Sequence, residues 1–322
     1  MIAVYSGSPA DREIQAPVAR AIAALGHEVE WWHAAKGKPL DGVECTEIDR
    51  GSEIQKASSS DAADAACIMW EMDGAWSDMS DVGAVVICGD RGDAMAMAMA
   101  THFRGIPIVH VAAGAVSGPT YVDARFRDAI SALADVLCAT HKKAADRLRA
   151  TPHLYRRRIV NTGLPSLDAI RRIAASASAD QRVMQPVAMI ALHPEPWNLS
   201  ERLIGEIVEE ALPPEITRRY RLEPNSDGGK DVYRRSTSVG PRLSPETWAL
   251  SLMNAAIVVG NSSALIYDCS ALGVPAVLVG VVRVAPLRAI RRIVVVAVLV
   301  PECRRARVEQ RRVGLREVRV VR

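Results

Sequence analysis

Five short segments of this 322-residue chain carry residue types that could do chemistry, and each lies in or just after a run that reads as a strand. Gly89, Asp90 and Arg91 follow "VVIC", and His110 stands within "IPIVHVAAG". His193 and Pro194 follow "MIAL", Asn225, Ser226 and Asp227 follow "YRLE", and Gly260, Asn261, Ser262 and Ser263 follow "IVV". Carboxylates and imidazoles at such points can move protons. A Gly with two hydroxyls at a helix start offers bare backbone N–H groups, side-chain donors and the positive dipole end, which together suit an anion. Each segment also has a plain reading. Asp90 could cap the following helix, His110 could be a satisfied core histidine, "PNSDGG" could be a turn, and "GNSS" could be an ordinary cap.

Elements that end where these residues begin must position them. "IAVYSG" reads as a strand, and "APVARAIAALGHEVEWW" as a helix with Pro17 in its first turn and Gly26 at its end, then a second strand. The same β-α-β order recurs in "DVGAVVICGD", "AMAMAMATHFRG" and "IPIVHVAAG". It continues through a helix at 123–133, "DVLCAT", "HKKAADRLRA" and "RRRIVNTGLPSLDAIRRIAA". "VAMIALHPEP", "SERLIGEIVEEAL", "RYRLEPNSDGG", "SPETWALSLMNA", "AIVVGNSS", "ALIYDCSALG" and "PAVLVG" repeat it in the second half. Continuous rather than alternating apolar strands indicate parallel sheets covered on both faces. The expected fold is α/β with two doubly wound, Rossmann-like domains. Their ligand is expected beyond the carboxyl ends of the strands, in an interdomain cleft. The Ala/Ser-rich stretch near Ala174 marks the boundary: 1–174, then 175–280, then a Val/Arg-rich tail at 281–322.

The totals fit this reading. Length suffices for two cores, and half the residues are hydrophobic with only 4% aromatic, so Ala, Val, Ile, Leu and Met must fill them. A net charge of +3 does not call for a nucleic-acid partner, and the chain lacks a Lys/Arg-rich face with interleaved aromatics outside the tail. Six scattered cysteines without a C-x-x-C pair read as small buried residues of a reducing compartment rather than a metal site or disulfide framework. "MIAVYSGSPA" lacks a signal-peptide pattern, and "IVVVAVLV" is too short to span a bilayer. A cytoplasmic protein is the expectation.

In combination the segments say more than singly. "GDR" after a strand, "HP" at a strand end, "PNSDGG" and "GNSSxxxxDxxxLGVP", in this order across two α/β halves, resemble the hydrolysing UDP-N-acetylglucosamine 2-epimerase family, whose members share the GT-B fold. The resemblance is strongest in "GDRGDAMAMAMATHFRGIPIVHVAAGAVSG" and "VVGNSSALIYDCSALGVPAVLVG", and slight before Gly83 and after Gly280. It implies a reaction without metal or cofactor: UDP is eliminated to leave a glycal, and water adds to give N-acetylmannosamine. It implies catalytic roles for Asp90, Asp123 and His193. Substrate binding is implied for Arg91, Arg127, Asn225, Asp227, Asn261, Ser262, Ser263 and Asp268, the last in place of a family Glu on the ribose hydroxyls. The implied partners are a UDP-sugar and further copies of the chain, with neither nucleic acid nor membrane.

Departures from the pattern bear on activity. Ala115 stands where the family has a Glu, and Pro9 where it has an Arg. A nucleotide-sugar binder that lost proton transfer is therefore a second reading, and a GT-B glycosyltransferase a third. The tail after Gly280 drops the βα order and reads better as a displaced reading frame than as a basic extension. The gene's other two frames beyond the Gly280 codon test this: one should give an Arg- and Gly-containing loop, then an amphipathic helix.

Overall fold

The computed structural model describes residues 1–7, 9–34, 40, 42–48, 61–75, 81–115, 122–154, 157–178, 180–181, 185–192, 212, 216–222, 243–282 and 292–299. The chain divides into two compact units, Met1–Asp168 and Ala169–Arg322.

The first unit holds strands β1 (Ile2–Ser6), β2 (Val29–His33), β3 (Glu44–Glu47), β4 (Ala84–Cys88), β5 (Ile108–Ala113), β6 (Val136–Ala139) and β7 (Arg158–Asn161). They form one parallel sheet in the order β3-β2-β1-β4-β5-β6-β7. Helices α1 (Pro9–Ala24), α2 (Asp61–Ala75), α3 (Gly92–Phe103), α4 (Val122–Leu133) and α5 (Lys142–Ala150) connect the strands. Successive strand residues feed opposite cores, as the pleat requires. Tyr5, Val85 and Ile87 pack with Met97, Ile130 and Leu148 on one face, and Val4, Val86 and Cys88 with Ala16, Ala19 and Trp31 on the other. Burial on both faces explains why central strands such as β4 read as unbroken apolar runs. The strand order reverses between β1 and β4, which opens a crevice at their carboxyl ends.

Helix α1 corrects one expectation. It begins at Pro9, so Pro17 lies inside the helix rather than in its first turn. Proline has no N–H to give to the preceding turn. The buried side chains of Gln15, Ala16 and Ala19 around it hold the helix through that defect.

The second unit begins within α6 (Ser166–Ser176). It contains β8 (Gln185–Ala191), β9 (Arg218–Arg221), α7 (Pro245–Asn254), β10 (Ala255–Gly260), α8 (Ser263–Leu272), β11 (Ala276–Val282) and β12 (Arg292–Leu299). The sheet order is β12-β11-β10-β8-β9, parallel except that β12 runs antiparallel to β11. Its order reverses between β8 and β10. Helix α7 starts on a Ser244 cap whose hydroxyl accepts from the Thr247 N–H at 3.1 Å, with Pro245 just inside. Within the tail, the β-branched run at 292–299 supplies the edge strand. A free edge on β11 takes up a segment of high β-propensity wherever it lies in the chain.

Candidate functional site

Both places where strand order reverses carry residues singled out by the sequence. In the first unit β4 ends at Cys88, and Gly89 turns with φ +85°, a conformation glycine adopts without a steric cost. The turn delivers Asp90 to Arg127 of α4, and the two form an ion pair with side chains only 22% and 12% exposed. A second Arg127 nitrogen, Nη1, donates to the Ala115 carbonyl at 2.9 Å. One guanidinium therefore holds both the β4 and the β5 exit loops. Asp90 is not the cap of α3; that position is Arg91, which makes no side-chain cap bond.

Arg91 turns back instead, and its Nε donates to Asp93 Oδ1 at 3.2 Å. Asp93 sits in the first turn of α3, where the helix dipole favours a carboxylate, and is 5% exposed. The Tyr5 hydroxyl donates to its other oxygen at 3.2 Å. That carboxylate lies against the β1 exit: a Cβ on Gly7 would fall 1.4 Å from Oδ2. Asp93 and Tyr5 did not stand out in the sequence. The available signal was the second carboxylate of "GDRGD", at a helix start.

His110 is wholly buried on β5, as a satisfied core histidine would be. Its Nε2 is 2.8 Å from the Gly89 carbonyl and its Nδ1 3.0 Å from the Ser131 hydroxyl. Burial pushes its pKa down to about 4, so the imidazole is neutral at pH 7. Cys88 beside it is also buried, and burial and the charge of Asp11 push its thiol up, which leaves it a packing residue rather than a nucleophile.

The depressed imidazole gives a pH-dependent stability. An unfolded His takes up its proton near pH 6.5 and the folded one only near pH 4, so stability is full above the former and lost as pH falls toward the latter. Between pH 7 and 5 the loss from this group is about 2 kcal/mol. Asp268, whose pKa is raised, acts in the opposite sense. Urea denaturation of wild type and His110→Gln at both pH values isolates the histidine. The expected result is a fall on acidification about 2 kcal/mol smaller in the variant; equal falls refute it.

In the second unit β10 ends at Gly260, close against β8. The Asn261 N–H donates to the Ala191 carbonyl at 3.2 Å. Ser262 caps α8, its hydroxyl accepting from the Ala264 N–H at 3.3 Å, and Gly273 closes the helix in the left-handed conformation. Ser263, the first residue of α8, is exposed. The cap reading of "GNSS" holds for Ser262, and an exposed serine beside the N–H ends leaves the anion reading open. Asp268 lies in the second turn of α8 at 9% exposure. Trp248 Nε1 donates to its Oδ2 at 2.8 Å, while burial pushes its pKa up to about 6. Burial and the Asp268 charge push the neighbouring Cys269 thiol up to about 12.

The structure thus brings Asp90 and Arg127 together, with Arg91 one residue on. It separately gathers Asn261, Ser262, Ser263 and Asp268 around α8. Asp123 is placed only by its backbone, at the second position of α4. His193, Asn225 and Asp227 lie outside the described residues, although Leu192, just before His193, is buried at the end of β8. Among the described residues no His/Cys/Asp/Glu cluster is arranged to hold a metal, and no helix is long and apolar enough to cross a membrane.

Comparison with known proteins gives a consistent answer. Residues 42–310 match the family described as UDP-N-acetylglucosamine 2-epimerase, a span reaching beyond both ends of the 83–280 region that carries the motifs. A curated relative from Legionella pneumophila, a UDP-N,N'-diacetylbacillosamine 2-epimerase (hydrolyzing), is 27% identical over 213 residues. That match covers 61% of this chain and 55% of the relative, so the chain spans about half the length of the relative it matches. The Methanocaldococcus jannaschii UDP-GlcNAc 2-epimerase, solved with UDP-GlcNAc and UDP, superposes with a TM-score of 0.66 at 16% identity, covering 86% of this chain and 83% of that one. The Neisseria meningitidis UDP-GlcNAc 2-epimerase bound to UDP-GlcNAc gives 0.63 at 14% identity, with 86% and 81% covered. At such identities the likeness is one of fold.

Proposed function

Because this chain belongs to the UDP-N-acetylglucosamine 2-epimerase family, we propose that it is a hydrolysing 2-epimerase of a UDP-linked 2-acetamido sugar. The observation that carries the reading is the Asp90–Arg127 pair at the point where strand order reverses, the position such a sheet reserves for its ligand. In the proposed reaction a base takes the C2 proton, and the C1–O bond breaks with its electron pair leaving on UDP. The C1=C2 glycal that remains then takes up water at C1 and a proton on the opposite face of C2. Asp90, Asp123 and His193 share the proton transfers. Arg127 orients Asp90, and Arg91 faces the substrate with Asp93 steadying it. Asn225 and Asp227 belong to the substrate side. Asn261, Ser262, Ser263 and the α8 N–H groups take the pyrophosphate, and Asp268 the ribose hydroxyls.

The direct test is incubation with UDP-N-acetylglucosamine and, separately, with UDP-N,N'-diacetylbacillosamine. Release of UDP together with the C2-inverted free sugar supports the reading. UDP release only when an acceptor is supplied would make the chain a glycosyltransferase instead.

One observation favours a binder with impaired turnover. At Ala115 only the backbone carbonyl takes part, accepting from Arg127, and a methyl group cannot carry a proton. If a family carboxylate is missing there, activity is low, and Ala115→Glu raises UDP release, since a general acid or base contributes about 10²–10⁴-fold. A parent enzyme at ordinary rates that is indifferent to Ala115→Glu rules that role out.

The nucleotide pocket is expected in either case. A ligand at a hundredfold excess over its Kd stabilises the native state by about 2.7 kcal/mol, so UDP should raise the melting temperature. Ser262→Ala removes the cap and costs about 1 kcal/mol by itself. The informative quantity is therefore the shift produced by UDP, which should shrink in the variant. No shift at millimolar UDP refutes the pocket.

A further inference from the structure

We infer that His110 and Ser131 form a buried relay that sets the aim of Asp90, which makes both of them positioning residues for the reaction proposed above, on which this inference rests. The argument begins with the proton. The Gly89 carbonyl can only accept, so His110 Nε2, 2.8 Å away, must carry the hydrogen. Nδ1 is then a lone pair and accepts from the Ser131 hydroxyl at 3.0 Å. Both side chains have zero exposure, so no solvent competes for either bond.

The preceding peptide is held as well. The Gly89 N–H donates to the Val111 carbonyl at 3.2 Å, so β5 grips Gly89 at both its donor and its acceptor. Held this way at φ +85°, the turn has little freedom in where it sends the next residue, Asp90. Ser131 and Arg127 are four apart on α4 and share one face of it. The links therefore close a ring: Gly89 to His110, His110 to Ser131, Ser131 along α4 to Arg127, and Arg127 to Asp90. The ion pair fixes the carboxylate's far end and the imidazole fixes the peptide behind it. Neither alone determines the direction of the carboxylate. No step needs His110 to change protonation, so it acts through Asp90 rather than on substrate.

The test compares His110→Phe, which keeps bulk and loses the donor, with His110→Gln, whose amide restores an N–H near the Nε2 position. Displacing a reacting group by about 1 Å costs about a hundredfold, so with UDP-N-acetylglucosamine the Phe variant should lose between about tenfold and a hundredfold in kcat while KM stays near wild type. The Gln variant should recover most of the loss, although both lower the melting temperature. Equal losses in the two variants, or kcat following melting temperature rather than the donor, overturn the relay. A wild type that turns over neither UDP-sugar refutes the functional reading, and the relay is then judged on the imidazole itself. Nitrogen-15 correlation spectra should show the Nε2–H tautomer at His110 in wild type, disturbed in Ser131→Ala. The Nδ1–H tautomer would overturn it.

Discussion

Asp90→Asn should lower UDP release from a UDP-2-acetamido sugar by about 10²–10⁴-fold, the range a positioned acid or base supplies. The amide is nearly isosteric and can still accept from Arg127, so the exit loops of β4 and β5 keep their common anchor. What it lacks is a carboxylate that can exchange a proton. The pair is not fully shielded from solvent, at 22% and 12% exposure, and loss of its Coulomb part should cost about 1 kcal/mol of stability. A large fall in kcat, measured beside a small shift in melting temperature, separates the chemical role from a structural one. Retention of more than a tenth of the parent rate would remove Asp90 from the proton-transfer steps.

Gly260→Ala should be strongly destabilising. A Cβ there would lie 1.9 Å from the Ala191 carbonyl oxygen and 2.6 Å from its carbon. Both are backbone atoms of β8, the strand that pairs with β10 through Val259↔Ile190 and Gly260↔Ala191. A flexible side chain could swing aside, but a paired strand moves only by giving up its hydrogen bonds. Overpacking of this kind costs about 3 kcal/mol or more. It would also push Asn261 and Ser262 out of place, so the UDP-induced thermal shift should vanish with the stability. Gly273→Ala is the control. It has open space around it but φ +71°, and should cost only about 1 kcal/mol with UDP binding retained. If the two substitutions cost the same, close packing of β10 on β8 is not what requires Gly260.

Much of this architecture was legible in the residues because the responsible forces are local. Unbroken runs such as "AVVIC" and "AAIVVG" became parallel strands covered on both faces. Ser262 and Gly273 bracket α8 as a cap and a left-handed terminus, and Gly26 and Gly105 follow their helices. Periodicity and caps are written within a few residues of where they act. Pro17 was misjudged for the converse reason. A proline reads as a helix start unless neighbouring burial holds the helix across it. The run at 292–299 has no partner in its own vicinity, and gains one only as β12 against the edge of β11.

The candidate site divides along the same line. The sequence by itself determined which chemistry-bearing residues stand at strand ends, and hence Asp90, Arg91 and the serines of "GNSS", since strand and turn are short-range events. It also carried the family, because those segments keep their order. Only the tertiary structure decided what each residue does there. Asp90 meets Arg127 instead of capping α3, Asp93 and Tyr5 close on Gly7, Asp268 meets the Trp248 indole, and His110 grips Gly89 from the neighbouring strand. These contacts join residues 20 to 88 positions apart. Nothing in a local window encodes such a distance. It is set when helices pack on a twisted sheet and the buried polar groups must find partners across it.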